Sequence, residues 1–72
     1  MNDFPARLRR LREKQRPIRS MRVTSELMGL GHNTLRRYER GEREPSLSEL
    51  IQIAKYYGVS IEYLCIGEEA RE

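Results

Sequence analysis

The side chains best suited to chemistry form one short run, which extends from His32 to Arg40. Its polar and basic members are His32, Asn33, Arg36, Arg37 and Arg40. The apolar members, Leu35 and Tyr38, are three residues apart, so in a helix they share one face and leave the basic side chains on another. A short helix with one buried apolar side and one outward basic side suits insertion into a DNA groove.

Three residues of this run are predicted to read bases. His32 and Asn33 lie at the N-terminal end, where a helix inserted into a groove comes closest to base edges, and Arg37 follows Asn33 by one turn. Arg forms paired hydrogen bonds with guanine, and Asn does so with adenine. The alternatives are a phosphate contact or surface ion pair for Arg37, a plain helix-start polar residue for Asn33, and a phosphate contact or a solvated side chain for His32.

A second set is predicted to bind backbone phosphates. Arg40 and Arg43 would flank the groove, and Arg36 lies one turn after His32 on an adjoining face. The preceding helix begins at Ser20, and its free amides, its dipole and Arg22 would form a further phosphate-binding site.

Glu39 is an acid inside this basic run. A carboxylate on the DNA-facing surface would repel phosphate, so we predict that it forms an internal ion pair. The expected partner is Arg12 of the first helix.

Composition agrees with a small nucleic-acid-binding domain. The chain has 72 residues, which is enough for one core but not for two. Residues 1–43 carry twelve Lys or Arg against five Asp or Glu, a net charge of +7, whereas residues 44–72 carry a net charge of −4. Such a polarised field orients a protein on a polyanion, and Arg, which predominates over Lys, is the better bidentate partner. A solvated helix surface is the alternative, and it is our interpretation of Arg7, Arg9 and Arg10.

Several functional classes are not expected. Cys65 and His32 each stand alone, so we predict no internal disulfide and no metal site, and we interpret Cys65 as a small buried hydrophobe. The sequence offers neither a pair of carboxylates nor an activated nucleophile. We therefore expect no enzyme activity, no cofactor and no small-molecule substrate. No apolar stretch approaches the roughly 18 residues of a membrane span, and the N-terminus lacks an apolar signal core, so we expect a cytoplasmic protein.

Five short helices are expected to position these side chains in a single domain. Asp3 is a candidate N-cap, Pro17 ends the first helix, and Gly29 ends the second with a positive φ. Ser20 and Ser60 are candidate caps. The predicted helices cover residues 4–15, 20–28, 32–39, 46–57 and 60–66, followed by a frayed tail over 67–72.

Further local predictions concern caps and the core. Thr24 is expected to bond back to the Ser20 carbonyl, and Ser46 with Glu49 forms a capping box. The expected core includes the loop residue Ile18 and the apolar positions of the second and fourth helices, among them Val23, Leu27, Leu47 and Ile51.

Several segments occur together in a recognisable order. They are Arg12 in the first helix, the turn Gly29–Leu30, the run from Thr34 to Gly41, Pro45–Leu47, and the stretch from Ala54 to Ser60. This combination resembles the Cro/phage-repressor-type (Xre-like) helix-turn-helix family over about residues 4–66. The resemblance implies an all-α, five-helix, lambda-repressor-like DNA-binding domain.

The resemblance also implies residue roles. Positions matching His32, Asn33 and Arg37 face the major groove, and an Arg of the first helix pairs with the Glu that matches Glu39. Positions near the DNA backbone are those of Ser20, Met21, Arg40 and Arg43. The chain departs from the family at Met21, where Gln is frequent, at Gly31, where Ser or Thr is common, and in residues 15–19, a connector about two residues longer than usual.

The predicted function is that of a sequence-specific regulator of transcription that binds double-stranded DNA, with repression favoured over activation. We expect a homodimer on a two-fold related operator with half-sites about one DNA turn apart. The interface would use the end of the fourth helix and the fifth helix, at Tyr56, Tyr63 and Ile66. The alternative is a protein-binding module of the same fold, such as an antitoxin-like or regulator-sequestering partner.

Overall fold

Five α-helices are present in the computed structural model, which describes residues 3–67. They are α1 (Phe4–Lys14), α2 (Met21–Leu27), α3 (Thr34–Glu39), α4 (Leu47–Tyr57) and α5 (Ile61–Ile66). Helix α3 packs against α1 and α2, while α5 packs against α1 and α4. The described residues contain no β-strand, and the predicted all-α, five-helix class is confirmed.

The core draws side chains from all parts of this arrangement. The rings of Phe4 and Tyr38 meet edge to face, with centroids 6.3 Å apart, and so join α1 to α3. The buried apolar residues are Phe4, Leu8, Met28, Leu35, Tyr38, Leu50, Ile53, Ala54 and Leu64. Each large one stabilises the fold by about 1.5–3 kcal/mol through removal of apolar surface from water.

Serine caps begin three of the helices, as predicted. The hydroxyl of Ser20 accepts a hydrogen bond from the Val23 amide at 3.1 Å, and that of Ser60 accepts one from Tyr63 at 2.9 Å. Ser46 and Glu49 exchange the two bonds of a capping box, at 2.8 and 3.2 Å. The backbone N–H of Ser46 thereby lowers the pKa of the Glu49 carboxyl.

The start of α1 differs from the prediction. Asp3 occupies the N-cap position, but its side chain makes no capping hydrogen bond. Its backbone carbonyl instead accepts the amide of Arg7 at 2.9 Å. Pro5 in the first turn removes one of the amides that a cap would otherwise satisfy.

Helix α2 ends in a left-handed glycine, as predicted. Gly29 has φ +81°, its amide bonds to the Glu26 carbonyl at 3.0 Å, and the Leu30 amide bonds to the Ser25 carbonyl at 2.9 Å. This pair of bonds is a Schellman motif, which turns the chain sharply towards α3. The predicted bond from the Thr24 hydroxyl to the Ser20 carbonyl is also present, at 2.8 Å.

Five apolar side chains that were expected in the core are exposed. They are Ile18, Val23, Leu27, Leu47 and Ile51. Thr24, Ser25 and Met28 are buried in and just after α2, so Val23 and Leu27 fall outside the buried face. Ile18 is 78% exposed, whereas the next residue of the connector, Arg19, is half-buried and donates to the Tyr56 hydroxyl at 3.2 Å.

The interpretation of Arg7 as a solvated side chain is wrong. Arg7 is only 8% exposed, and its guanidinium donates to the carbonyls of Leu64 and Cys65 at 3.0 and 2.8 Å. Those carbonyls belong to the last turn of α5, where backbone carbonyls lack N–H partners within the helix and a cation is favoured. Arg7 therefore joins α1 to the end of α5, whereas Arg9 and Arg10 are exposed as predicted.

The remaining predictions concern the C-terminal end. Cys65 is half-buried against the core rather than fully buried. Of the predicted frayed tail, residues 68–72 lie outside the described residues, and the amide of Gly67 bonds to the Tyr63 carbonyl at 2.9 Å. None of the helices in the described part of the chain combines the length and the hydropathy needed to cross a membrane.

Candidate nucleic-acid interface

Helix α3 begins at Thr34, two residues later than predicted. His32 and Asn33 lie in the turn before it, where both are exposed. Gly31 has no side-chain oxygen to cap a helix beginning at residue 32, and its carbonyl accepts the Thr34 amide at 3.0 Å. A Cβ at Gly31 would lie 3.2 Å from the Thr34 hydroxyl, so the turn leaves little room for the common Ser or Thr.

The capping hydrogen bond for α3 comes instead from α2. The hydroxyl of Ser25, which is fully buried, accepts the backbone N–H of Leu35 at 3.0 Å. Ser25 therefore fixes the start of α3 against α2, and sequence reasoning missed it. Its signal in the sequence is slight: a serine three residues before Met28, on the face that the helical period directs inward.

We expect Ser25→Ala to lower the free energy of unfolding by about 1–3 kcal/mol, because the Leu35 amide would remain buried without a partner. Urea unfolding followed by circular dichroism measures this loss. The control is Lys55→Ala on the exposed surface of α4, with an expected change within about 0.5 kcal/mol. Equal effects of the two substitutions would contradict the capping role.

The apolar side of α3 is anchored in the core. Leu35 and Tyr38 are fully buried, and Arg36, Arg37 and Arg40 are exposed. The predicted amphipathic character of this helix is therefore present in the structure. Burial raises the pKa of the Tyr38 hydroxyl above its ordinary value.

A shallow surface recess lies along the exposed side of α3. It is lined by Asn33, Arg36, Arg37, Arg40 and Glu42. The structure thus brings together two of the predicted base-reading residues and two of the predicted phosphate-binding residues. His32 precedes Asn33 in the sequence and is exposed, but it does not line the recess.

Glu39 points away from this surface and pairs with Arg12. The Arg12 Nε and Nη2 atoms donate to the two carboxylate oxygens of Glu39 at 2.7 and 3.0 Å, which is a two-point pair. The Glu39 side chain is 3% exposed. Its hydrogen bond raises the pKa of the Arg12 guanidinium. This pair connects α1 to α3 and keeps the Glu39 carboxylate off the exposed side of α3.

The other predicted phosphate-binding residues lie outside the recess. Ser20 is exposed at the start of α2, Met21 is half-buried, and Arg22 is exposed with its Nε 3.5 Å from Glu26. Arg43 places its guanidinium 6.0 Å from the centre of the Tyr38 ring, with Nη2 3.5 Å from Glu49. These contacts hold Arg43 close to the C-terminal end of α3.

Comparison with known proteins defines the class of this chain. The sequence profile of the helix-turn-helix family matches residues 8–64. The chain therefore belongs to the helix-turn-helix family.

Three relatives illustrate this membership. An uncharacterized HTH-type transcriptional regulator of Haemophilus influenzae is 38% identical over 99% of this chain and 28% of its own length. The HTH-type transcriptional regulator ImmR of Bacillus subtilis is 33% identical over 85% of this chain and 49% of its own. The cryptic phage CTXphi transcriptional repressor RstR of Vibrio cholerae is 37% identical over 72% of this chain and 54% of its own.

The chain thus spans between 28% and 54% of the length of these relatives. All three bear the names of transcriptional regulators or repressors rather than of enzymes. No solved structure gives a significant match.

Proposed function

We propose that this chain is the DNA-binding part of a sequence-specific transcriptional regulator that acts as a repressor. The observation that carries the proposal is the exposed recess at α3, in which Asn33 and three arginines come together. The membership of the helix-turn-helix family supports it, as do the relatives named as transcriptional regulators, one of which is a phage repressor.

In the proposed complex, α3 enters the major groove of double-stranded DNA. Arg37 and Asn33 contact base edges, and His32 lies beside Asn33 at the start of the groove-inserted segment. These base contacts carry the sequence information. The phosphate contacts come from Ser20, Met21, Arg22, Arg36, Arg40 and Arg43, and they set position and orientation. Occupancy of the site then represses transcription by excluding polymerase.

A single short helix reads few base pairs, so we place two copies of the chain on one operator. A two-fold related site with half-sites about one DNA turn apart would match such a dimer. The proposed interface lies at α5 and the end of α4. Ile66 is exposed there, and Tyr56 and Tyr63 are half-buried.

Selection from random duplex DNA tests the function. We expect one enriched, two-fold related motif, bound as a dimer by sedimentation, with affinity about 10³-fold or more above that for random duplex. The logarithm of the affinity should fall with the logarithm of the salt concentration by about 0.9 for each phosphate contacted. Absence of an enriched motif would refute the function, and a monomer on the selected operator would refute the dimer alone.

A protein-binding module of the same fold is the second candidate. It is favoured by the exposed apolar side chains of α2 and α4, where Val23 precedes Leu27 and Leu47 precedes Ile51 by four residues each. Such pairs share a helix face and could meet a partner's apolar surface. This candidate predicts weak, sequence-blind DNA binding in the same selection.

A further inference from the structure

Three of the arginines assigned to phosphate already face a carboxylate. Arg40 has its Nε 3.0 Å from Glu42, and Arg22 and Arg43 have carboxylate oxygens at 3.5 Å. In contrast, Arg36 and Arg37 have no carboxylate within ion-pair distance among residues 3–67. The charge of Arg22, Arg40 and Arg43 is thus partly neutralised within the protein, whereas that of Arg36 and Arg37 is not.

The pair of Arg40 and Glu42 differs from the other two in its position. Within the described residues, Glu42 supplies the one carboxylate that lines the recess at α3. Glu26 lies one turn beyond Arg22 on α2, and Glu49 is engaged in the capping box of α4. Of these three carboxylates, Glu42 is the one that lines the recess.

The backbone holds Glu42 at this place. Gly41 has φ +72°, its amide bonds to the Tyr38 carbonyl at 3.1 Å, and the Glu42 amide bonds to the Arg37 carbonyl at 2.9 Å. These two bonds form a Schellman motif that reverses the chain at the end of α3. The reversal returns Glu42 to the last turn of the helix, beside Arg40.

We infer that Glu42 limits the affinity of the protein for DNA of any sequence. This inference rests on the proposed DNA-binding function. A phosphate that approaches Arg40 competes with the Glu42 carboxylate for the guanidinium and is repelled by its charge. The effect falls on a phosphate contact, which carries no sequence information, so the preferred motif does not depend on Glu42.

The physical consequence is a lower occupancy of random DNA. Competing non-specific sites are numerous in a genome, and their affinity is almost entirely electrostatic. A fixed carboxylate beside one phosphate-binding arginine lowers this affinity without altering the residues that read bases. Operator binding is lowered by the same factor.

Glu42→Gln tests the inference, because it removes the charge and keeps the size of the side chain. We expect affinity for both operator and random duplex to rise about fivefold, with the enriched motif unchanged. The salt dependence should steepen by up to about 0.9 in logarithmic slope, as for one additional phosphate contact. The matched control is Glu13→Gln, the same charge change at an exposed glutamate of α1 that also pairs with an arginine, Arg9, at 3.1 Å.

Different outcomes would overturn different statements. If affinity rises equally for Glu13→Gln and Glu42→Gln, the effect is one of net charge alone, and the inference is refuted. Weaker binding by Glu42→Gln would mean that Glu42 positions Arg40 for phosphate. A changed motif would mean that Glu42 reads a base. Either result also refutes the inference. If the unaltered chain binds no duplex selectively, the proposed function fails first.

Discussion

Replacing Arg12 with methionine is expected to lower the free energy of unfolding by about 3 kcal/mol, because the Glu39 carboxylate would remain buried without its two hydrogen bonds. That loss is a large fraction of the stability of a chain this short. Urea unfolding at neutral pH measures it. Methionine retains most of the apolar length of arginine, so the change isolates the guanidinium.

Two further variants sharpen this test. Arg9→Met removes an exposed pair with Glu13 on the same helix, and its expected cost is within about 1 kcal/mol. Combining Arg12→Met with Glu39→Leu removes the stranded charge, and we expect the double variant to be more stable than Arg12→Met. If Arg12→Met costs no more than Arg9→Met, the pair does not stabilise the α1–α3 contact.

Arg37→Ala is the second large expected effect. If Arg37 reads a guanine, its loss should reduce discrimination at one base pair of each half-site by about 1–3 kcal/mol. Repeating the duplex selection should then yield a motif that is degenerate at that position. Because Arg37 is exposed on α3, the folded state should be retained, as thermal unfolding can verify.

Arg36→Ala is the matched control for Arg37→Ala. Arg36 lies on the same helix, is also exposed and carries the same charge. As a phosphate contact, it should weaken binding to all sequences and lower the salt slope by about one. If Arg37→Ala enriches the original motif, or if the two variants behave alike, the base-reading role of Arg37 is wrong.

Local hydrogen bonding explains which parts of the fold could be predicted. Ser20, Ser46 and Ser60 each cap an amide three residues ahead, and Gly29 permits a left-handed turn. Such signals lie within a few residues of one another, so they can be recognised in a linear sequence. The five helices and their order followed from them.

Charge also allowed one long-range prediction. Glu39 is an acid among bases on a helix that was expected to face a polyanion, and Arg12 was available on a helix expected to pack nearby. The pair is present across 27 positions of sequence. Because a carboxylate is incompatible with a surface that binds phosphate, the sequence predicted a distant basic partner for Glu39.

The residues that were missed act across helix contacts that no local pattern encodes. Arg7 bonds to carbonyls 57 and 58 positions away, and Ser25 caps a helix other than its own. Ile18 is exposed on a connector in which the next residue, Arg19, donates to Tyr56, 37 positions away. Each depends on which helix lies against which.

The sequence by itself determined the five helices, most of their caps, the family, and the amphipathic helix that carries the basic residues, because these depend on neighbouring residues and on the period of the helix. Only the tertiary structure decided where α3 begins, which apolar side chains stay outside the core, and that Arg7 joins two helices. It also placed Glu42 beside Arg40. Those features depend on the packing of α1 and α2 against α3, on the packing of α5 against α1, and on the chain reversal at Gly41. Together these bring close groups that the sequence keeps apart.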